Sequence, residues 1–542
     1  MVTQVSRGGL TSVEQSLVEH VSRGELLDLA AEDEAVGEAA MRSWGDTRAI
    51  RATVIRDILR GRLAPDPDPH GLRLRGARIT GRLDLENLST YVSLQLSDCH
   101  LEEGIVAMDA RLAALILTRC RIEHPAEPPL DAVRVTCGML SLDGARIIGH
   151  TGRGAVELAG ARLGGQLYCD GAELRNDSGP ALAAYGLQVD QDVFLRGGFT
   201  AVGSGGSGAV NLTGAHIGGQ LECDGAELRN DSGPALVADA LHVDEGMSLT
   251  DGFTATGSGE RGAVRLRGAR IGGELSCRGG ELRNDSGPAL RVYGLHVDQG
   301  MFLTDGFTAT GSGDVAVDLR RVRVGGTLYF DPGQLTHTAD PHRRIVVDGL
   351  TYAGVPELVS VGDWLRLLRD GTPSYAAQPY QQLAAGCRAQ GHERQAREIL
   401  IAQRRDQLAR TRTSRPERFW GRVTKITLGY GYQPWRALLF LAGAVALSCL
   451  LAVILGAHGA LAQTSSTAAP GRPCTVIQQV SVGLDLNLPV GGILARTDCD
   501  LARDPASATA AWLTAASWVL RLLAWAFAAL FIAGFTGAVR KT

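Results

Sequence analysis

The chain has 542 residues, 45% of them hydrophobic, and a formal net charge of -4. That length allows several domains, and the near-balanced charge excludes a nucleic-acid binder built on a basic face. Glycine is abundant, at 69 residues, and its placement at turns is the first clue to architecture.

Residues 1–63 read as a helical N-terminal cap. Thr11-Ser-Val-Glu14 has the form of a capping box, and Ile50, Val54, Ile55, Ile58 and Leu59 recur at helical spacing. No apolar run follows the first residues, so no secretory signal is expected. Residues 64–70 carry Ala64-Pro-Asp-Pro-Asp-Pro69, a stiff linker that excludes helix.

From 71 to about 350 the chain is a repeat. Leu-Arg-Asn-Asp-Ser-Gly-Pro-Ala-Leu occurs unchanged at Leu174–Leu182, Leu228–Leu236 and Leu282–Leu290, a step of 54 residues each time. Each unit divides again, because Ala263–Ile271 with Leu275 and Cys277 superimposes on Ala289–Val297 with Met301 and Leu303 at an offset of 26 residues. Apolar residues alternate in short runs between Gly-Gly, Asp-Gly or Asn-Asp-Ser-Gly-Pro, the pattern of short strands separated by turns. Such units bury their inward side chains by stacking coil on coil. The fold class is therefore mainly β: a β-solenoid of roughly ten coils, on the order of 50 Å long at the usual strand spacing. One inward column should read Cys169, Leu195, Cys223, Leu249, Cys277, Leu303. Its cysteines lie two coils apart, about 9.6 Å, too far for disulfides, and serve packing.

Residues 351–412 return to helical spacing, with Trp364, Leu365, Leu367 and Leu368, then Tyr380, Leu383, Ala384 and Cys387, then Ala396, Ile399 and Leu400 beyond Gly391. This reads as a helical hairpin, a cap or spacer. Residues 413–436 form a basic juxtamembrane segment, and 437–455 are apolar and long enough to span a bilayer. Residues 456–507 make an extracytoplasmic loop, 508–521 an apolar interfacial or re-entrant segment, and 522–539 a second transmembrane helix. Arg415, Arg418, Arg422, Lys425 and Arg436 flank the first span, and Arg540 and Lys541 the second. The positive-inside rule then places both termini in the cytoplasm of a multi-pass protein of the bacterial cell membrane. Cys474 and Cys499 are the loop's two cysteines, a candidate disulfide in an oxidising exterior.

No catalytic, cofactor-binding or metal constellation emerges. Gly203–Gly208 and Gly257–Gly262 match G-x-G-x-x-G, but each is followed by another strand pattern rather than a helix, so they read as turns. His337, Asp340 and His342 offer donor atoms without further clustered ligands and read as a polar loop. A candidate docking row comprises Arg175, Asn176, Asp177, Arg229, Asn230, Asp231, Arg283, Asn284 and Asp285, aligned along one edge of the coils. The functional reading is a membrane-anchored scaffold that binds an unknown protein partner, with a homo-oligomer allowed and no nucleic acid.

Ile50-Arg-Ala-Thr-Val-Ile-Arg, Leu72-Arg-Leu-Arg-Gly-Ala-Arg-Ile, the Gly-Ala-Arg-Ile-Gly-Gly coils, Tyr380-Gln-Gln-Leu-Ala and Gly429-Tyr-Gly-Tyr-Gln-Pro-Trp-Arg436 resemble actinobacterial membrane-anchored repeat proteins. Those proteins are often called membrane-associated oxidoreductases, so the resemblance implies an oxidoreductase as one alternative. The C-terminal third also resembles the two-helix ion-channel module that follows pentapeptide repeats, which implies a second alternative, an oligomeric pore or gating protein. Where that module carries its Gly-rich filter, this chain has Ser481-Val-Gly-Leu-Asp-Leu-Asn-Leu-Pro489, so potassium selectivity is not implied.

Overall fold

Short alternating strands stack in register here because every coil repeats the same inward positions. The computed structural model describes residues 9–30, 36–331, 334–411, 435–457, 461–463, 474–487, 499–501 and 508–539, with single positions between 421 and 433. They fall into two compact units, Met1–Ala396 and Arg397–Thr542.

The first unit is a parallel β-solenoid of about 11 turns, whose strands form four long sheets of 12, 12, 11 and 9 strands. We call these faces 1 to 4 in that order. On face 1 the inward column runs Leu167, Val193, Leu221, Met247, Leu275, Met301, Leu328. Cys169, Leu195, Cys223, Leu249, Cys277 and Leu303 follow two positions later, and all are buried. Burial pushes the Cys277 thiol up to about 12 and raises Cys169 and Cys223 likewise, so these are packing groups and not nucleophiles. Face 2 carries the matching column Leu174, Ala201, Leu228, Ala255, Leu282, Ala309. Each fully buried leucine contributes roughly 1.5–3 kcal/mol. Phe199, Phe253 and Phe307 recur once per 54 residues, two positions before Ala201, Ala255 and Ala309, and are 0% exposed.

Helix α1 (Ser12–Arg23) starts at the capping box: the Glu14 backbone N–H donates to Thr11 Oγ1, and the Thr11 N–H to Glu14 Oε2. Glu14 is buried, and Arg51 donates to it from the backbone at 3.1 Å and from Nε at 2.7 Å. Burial works to raise the Glu14 carboxyl, but the Arg51 side chain, the Thr11 and Arg51 backbone N–H groups and the Arg51 charge outweigh it and hold it at about 2. A short helix α2 (Glu38–Ser43) precedes α3 (Ala52–Leu59), which buries Val54, Ile55, Ile58 and Leu59. Ile50 does not share that helix. It lies in the strand Ala49–Arg51, opposite Ile79, so the cap feeds its own strand into face 2. Leu27–Asp28 does the same on face 1. The cap thereby pairs the first coil's edges, which would otherwise be open to other chains.

At the other end, α4 (Val361–Asp370) and α5 (Gln378–Ala389) close the last coil. Trp364 packs edge-on to Phe330 at 5.3 Å, and Gln378 and Gln382 donate to the Leu350 and Tyr352 carbonyls at 2.8 Å each. Gly386 lies so close to the Gly354 carbonyl that an added Cβ would sit 1.9 Å from it. Helix α6 (Glu393–Arg410) follows Gly391, whose φ of 81° turns the chain.

The second unit holds α7 (Trp435–Ala457), α8 (Val476–Asn487) and α9 (Ala508–Val539). Helix α7 is long and apolar enough to cross a membrane. Residues 508–521 and 522–539 lie in one continuous helix of 32 residues, within which Trp518–Ala533 is the apolar stretch. Helix α8 packs on α7, with Ser448 Oγ donating to the Gly483 carbonyl at 2.6 Å. Cys474 and Cys499 form a disulfide with Cα atoms 6.4 Å apart, packed on Leu461 and Val482. Arg415, Arg418, Arg422 and Lys425 of the basic cluster, half of the Gly429–Arg436 element, Leu488, Pro489, Arg540 and Lys541 lie outside the described residues.

Candidate functional site

In-register stacking turns each outward position into a line of side chains. On face 2 one outward line reads Arg175, Val202, Arg229, Thr256, Arg283, Thr310. The arginines therefore recur every second coil, about 9.6 Å apart. Each donates from Nε to the aspartate two residues on: Arg175 to Asp177 at 3.0 Å, Arg229 to Asp231 at 2.9 Å, Arg283 to Asp285 at 3.1 Å. Their side chains are about half exposed or more, from 44% at Asp177 to 72% at Asp231. Solvated pairs of this kind hold each other by only about 0–1 kcal/mol, so exchanging an internal partner for an external one costs little.

The asparagines of the expected row do not belong to it. Asn176, Asn230 and Asn284 are each 1% exposed, because the next position along a strand points inward. Asn176 Nδ2 donates to the Thr151 and Pro180 carbonyls at 3.0 and 2.8 Å, and Asn284 Nδ2 to Gly259 and Pro288 at 2.9 and 2.8 Å. The Asn230 and Asn284 Oδ1 atoms accept from the Ser232 and Ser286 backbone N–H groups at 3.0 and 3.1 Å in their turns. Glycine stands opposite them in the neighbouring coils, Gly203 against Asn230 and Gly257 against Asn284. A Cβ on Gly203 would come within 2.7 Å of the Ala209 Cα, so the column alternates a turn-holding amide with a residue that has no side chain. The docking row contracts to six charged residues.

A second surface lies on face 1, and sequence reading missed it. Its outward line is Tyr168, Phe194, Glu222, Ser248, Ser276, Phe302, Tyr329. Rings stack at both ends, Tyr168 on Phe194 at 5.2 Å and Phe302 on Tyr329 at 4.4 Å. Arg196 and Arg278 lie over Phe194 and Phe302 at 4.1 and 3.9 Å. Between the stacks is a shallow groove of about 560 Å³ whose lining includes Gln220, Glu245, Glu274, Ser276, Arg278 and Gln299. The recurrence of an aromatic residue just before the Cys/Leu column was the signal available in the sequence.

Other expected features take structural roles. Gly203–Gly208 joins the strands Thr200–Gly203 and Val210–Asn211, and Gly257–Gly262 likewise lies between strands, so neither presents a helix N-terminus to a phosphate. His337 uses both ring nitrogens in its turn: Nε2 lies 3.1 Å from the Gly313 carbonyl, and Nδ1 accepts from the Ala339 and Asp340 N–H groups at 3.2 and 3.0 Å. Asp340 caps a short turn by accepting from the His342 N–H at 2.8 Å. Residues 481–487, at the channel filter position, are helical, so their carbonyls run along the α8 axis and do not form an extended ring. Compared with protein-family models, with curated proteins and with solved structures, the chain matches none of them.

Proposed function

We propose that this protein is a membrane-anchored solenoid scaffold that docks a protein partner along the Arg/Asp row of face 2. The observation that carries the reading is the row itself: six exposed charges at two-coil spacing, held on a rod whose inward columns are fully buried. Rigid periodic charge favours a partner that repeats opposite charges at the same interval and disfavours one that does not. Anchoring draws support from α7 and α9, where Leu439, Leu450, Trp518, Leu522 and Ile532 are 57–68% exposed. Apolar side chains in that number facing outward suit lipid. In this reading α7 and the Trp518–Ala533 part of α9 both span the bilayer, the Cys474–Cys499 loop lies outside, and the solenoid faces the cytoplasm. Exchanging all three arginines and all three aspartates for alanine should abolish partner recovery from solubilised membranes. Recovery equal to the parent chain's would remove face 2 from the interface.

A second reading, an oligomeric pore, is favoured by one observation: a 12-residue helix, α8, packs against α7 between two long apolar helices. It predicts ion flux in reconstituted vesicles from a closed oligomer. A monomer without flux would end it.

A further inference from the structure

We propose that His216, His242 and Asp244 form a surface binding site for a divalent transition metal of the zinc class. Face 4 stacks a polar outward line that reads Arg162, Gln188, His216, His242, Arg270, His296, Arg323. His216 and His242 are register partners on adjacent coils, and their rings meet edge to face with centroids 4.9 Å apart. Two residues after His242 on the same outward side, Asp244 brings its Oδ1 within 3.1 Å of His216 Nε2 and 3.0 Å of His242 Nε2. The three donor atoms all lie within 4.8 Å of one another.

The two nitrogen–oxygen distances suit a tetrahedral ion, while the nitrogen–nitrogen edge, within 4.8 Å, closes by rotation of the exposed rings. With metal–nitrogen and metal–oxygen bonds near 2.0–2.1 Å, donors in a tetrahedron lie about 3.3 Å apart, so both nitrogen–oxygen edges need to widen by only a few tenths of an ångström. Two imidazoles and one carboxylate are a donor set that zinc accepts, and a fourth position remains open on this exposed surface for water. The repeat explains why the donors meet here. The residue two after His216 is Gly218, level with Asp244 in the register, where an added Cβ would lie 2.4 Å from the Asp190 carbonyl oxygen, so the His216 coil carries no side chain at that level. Gly272 stands at the same place on the following coil, where an added Cβ would lie 2.2 Å from the Asp244 carbonyl oxygen. His296 and Asp298 repeat half of the arrangement at 2.9 Å, but Arg270 and Arg323 flank that histidine in place of a second imidazole. Arg270 also adjoins His242, so one fixed positive charge opposes the ion and Asp244 supplies the compensating negative one.

The test uses the full chain in detergent, stripped with chelator and titrated with zinc chloride calorimetrically, then with cobalt, whose visible spectrum reports tetrahedral coordination. One equivalent of zinc and a tetrahedral cobalt spectrum are expected. His216→Ala, His242→Ala and Asp244→Asn should each weaken binding at least about 100-fold, the upper end of the loss when even a supporting partner of a ligand is removed, while His296→Ala should bind like the parent. All four side chains lie outside the inward columns, so circular dichroism should be unchanged. Absence of a zinc equivalent, or binding that the three variants leave intact, would overturn the site and leave two histidine–aspartate hydrogen bonds.

Discussion

Leu228 and Leu450 are the same side chain in opposite surroundings. Leu228 is 1% exposed within a column of the solenoid, and Leu450 is 57% exposed on α7. Along the columns of the solenoid the aliphatic groups turn inward, and the outward positions are mostly polar apart from the aromatic line of face 1. In α7 and α9 large apolar residues face outward, and the small or polar Ala437, Ser448 and Ala452 are buried. The solenoid surface is thus the kind that water stabilises, whereas the outward apolar side chains of α7 and α9 are the kind that the proposed membrane anchor requires. Substitutions that make sense in one solvent should fail in the other.

The largest effect is expected in the water-built unit. Phe253→Ala removes a fully buried ring and should cost about 3–5 kcal/mol, read as a fall in the denaturant midpoint with the slope retained. Because coils contact only their neighbours, amide exchange should quicken most in the coils on either side of Phe253. Uniform quickening would show that the rod unfolds as one block. In the second unit, Leu450→Lys replaces a side chain already more than half exposed. In water such a change alters stability by no more than about 0.5 kcal/mol, while at the centre of a membrane helix it costs about 3 kcal/mol. The fraction of chain retained in membranes after washing separates the two: a drop supports lipid around α7, and full retention with unchanged folding would count against it.

The cap supplies a pH-dependent member of the comparison. Glu14 is held at about 2 in the fold against an ordinary 4.5. Its folded value is depressed, so its contribution is complete above about 4.5 and disappears as pH falls towards about 2. The shift corresponds to about 3 kcal/mol. Glu14→Gln should therefore lower cap stability at neutral pH, by amide exchange over α1, and the difference from the parent should shrink below pH 4.5 and close only at about pH 2. A difference that persists there would mean that shape, rather than charge, holds Glu14.

Much of the solenoid was legible because its information is periodic. A nine-residue identity at a 54-residue step and a 26-residue internal offset fix the strand positions, and the inward Cys/Leu column follows from alternation alone. The capping box at Thr11 and Glu14 was equally readable, since all its parts lie within one helical turn. What sequence could not supply was the side of the strand at turn edges. Asn176 belongs to a turn motif, and turn residues are normally exposed, yet strand alternation carries it inward while its neighbours Arg175 and Asp177 stay outside. Likewise Ile50 fits a helical spacing with Val54, and only the pairing with Ile79 reveals a strand. The stacking of His216 on His242 follows from the same 26-residue offset, but the reach of the Asp244 carboxylate to both rings depends on side-chain geometry that spacing alone does not carry.

The smallest predicted effects are the ones that decide what the polar row is for. Asn230→Ala strips the Gly205 carbonyl and the Ser232 N–H of their partner in a partly buried turn. Losing these two hydrogen bonds, at about 0.5–1.5 kcal/mol each, should cost about 1–3 kcal/mol. Arg229→Ala, one residue away, breaks only the solvated contact to Asp231 and should stay within about 0.5 kcal/mol. If the two substitutions cost the same, the arginines brace the solenoid and are not free for a partner. If Arg229→Ala leaves stability alone and weakens partner recovery, while Asn230→Ala lowers stability first, then adjacent residues of one repeated motif have separate tasks: the amide holds the turn, and the charge beside it is displayed for recognition.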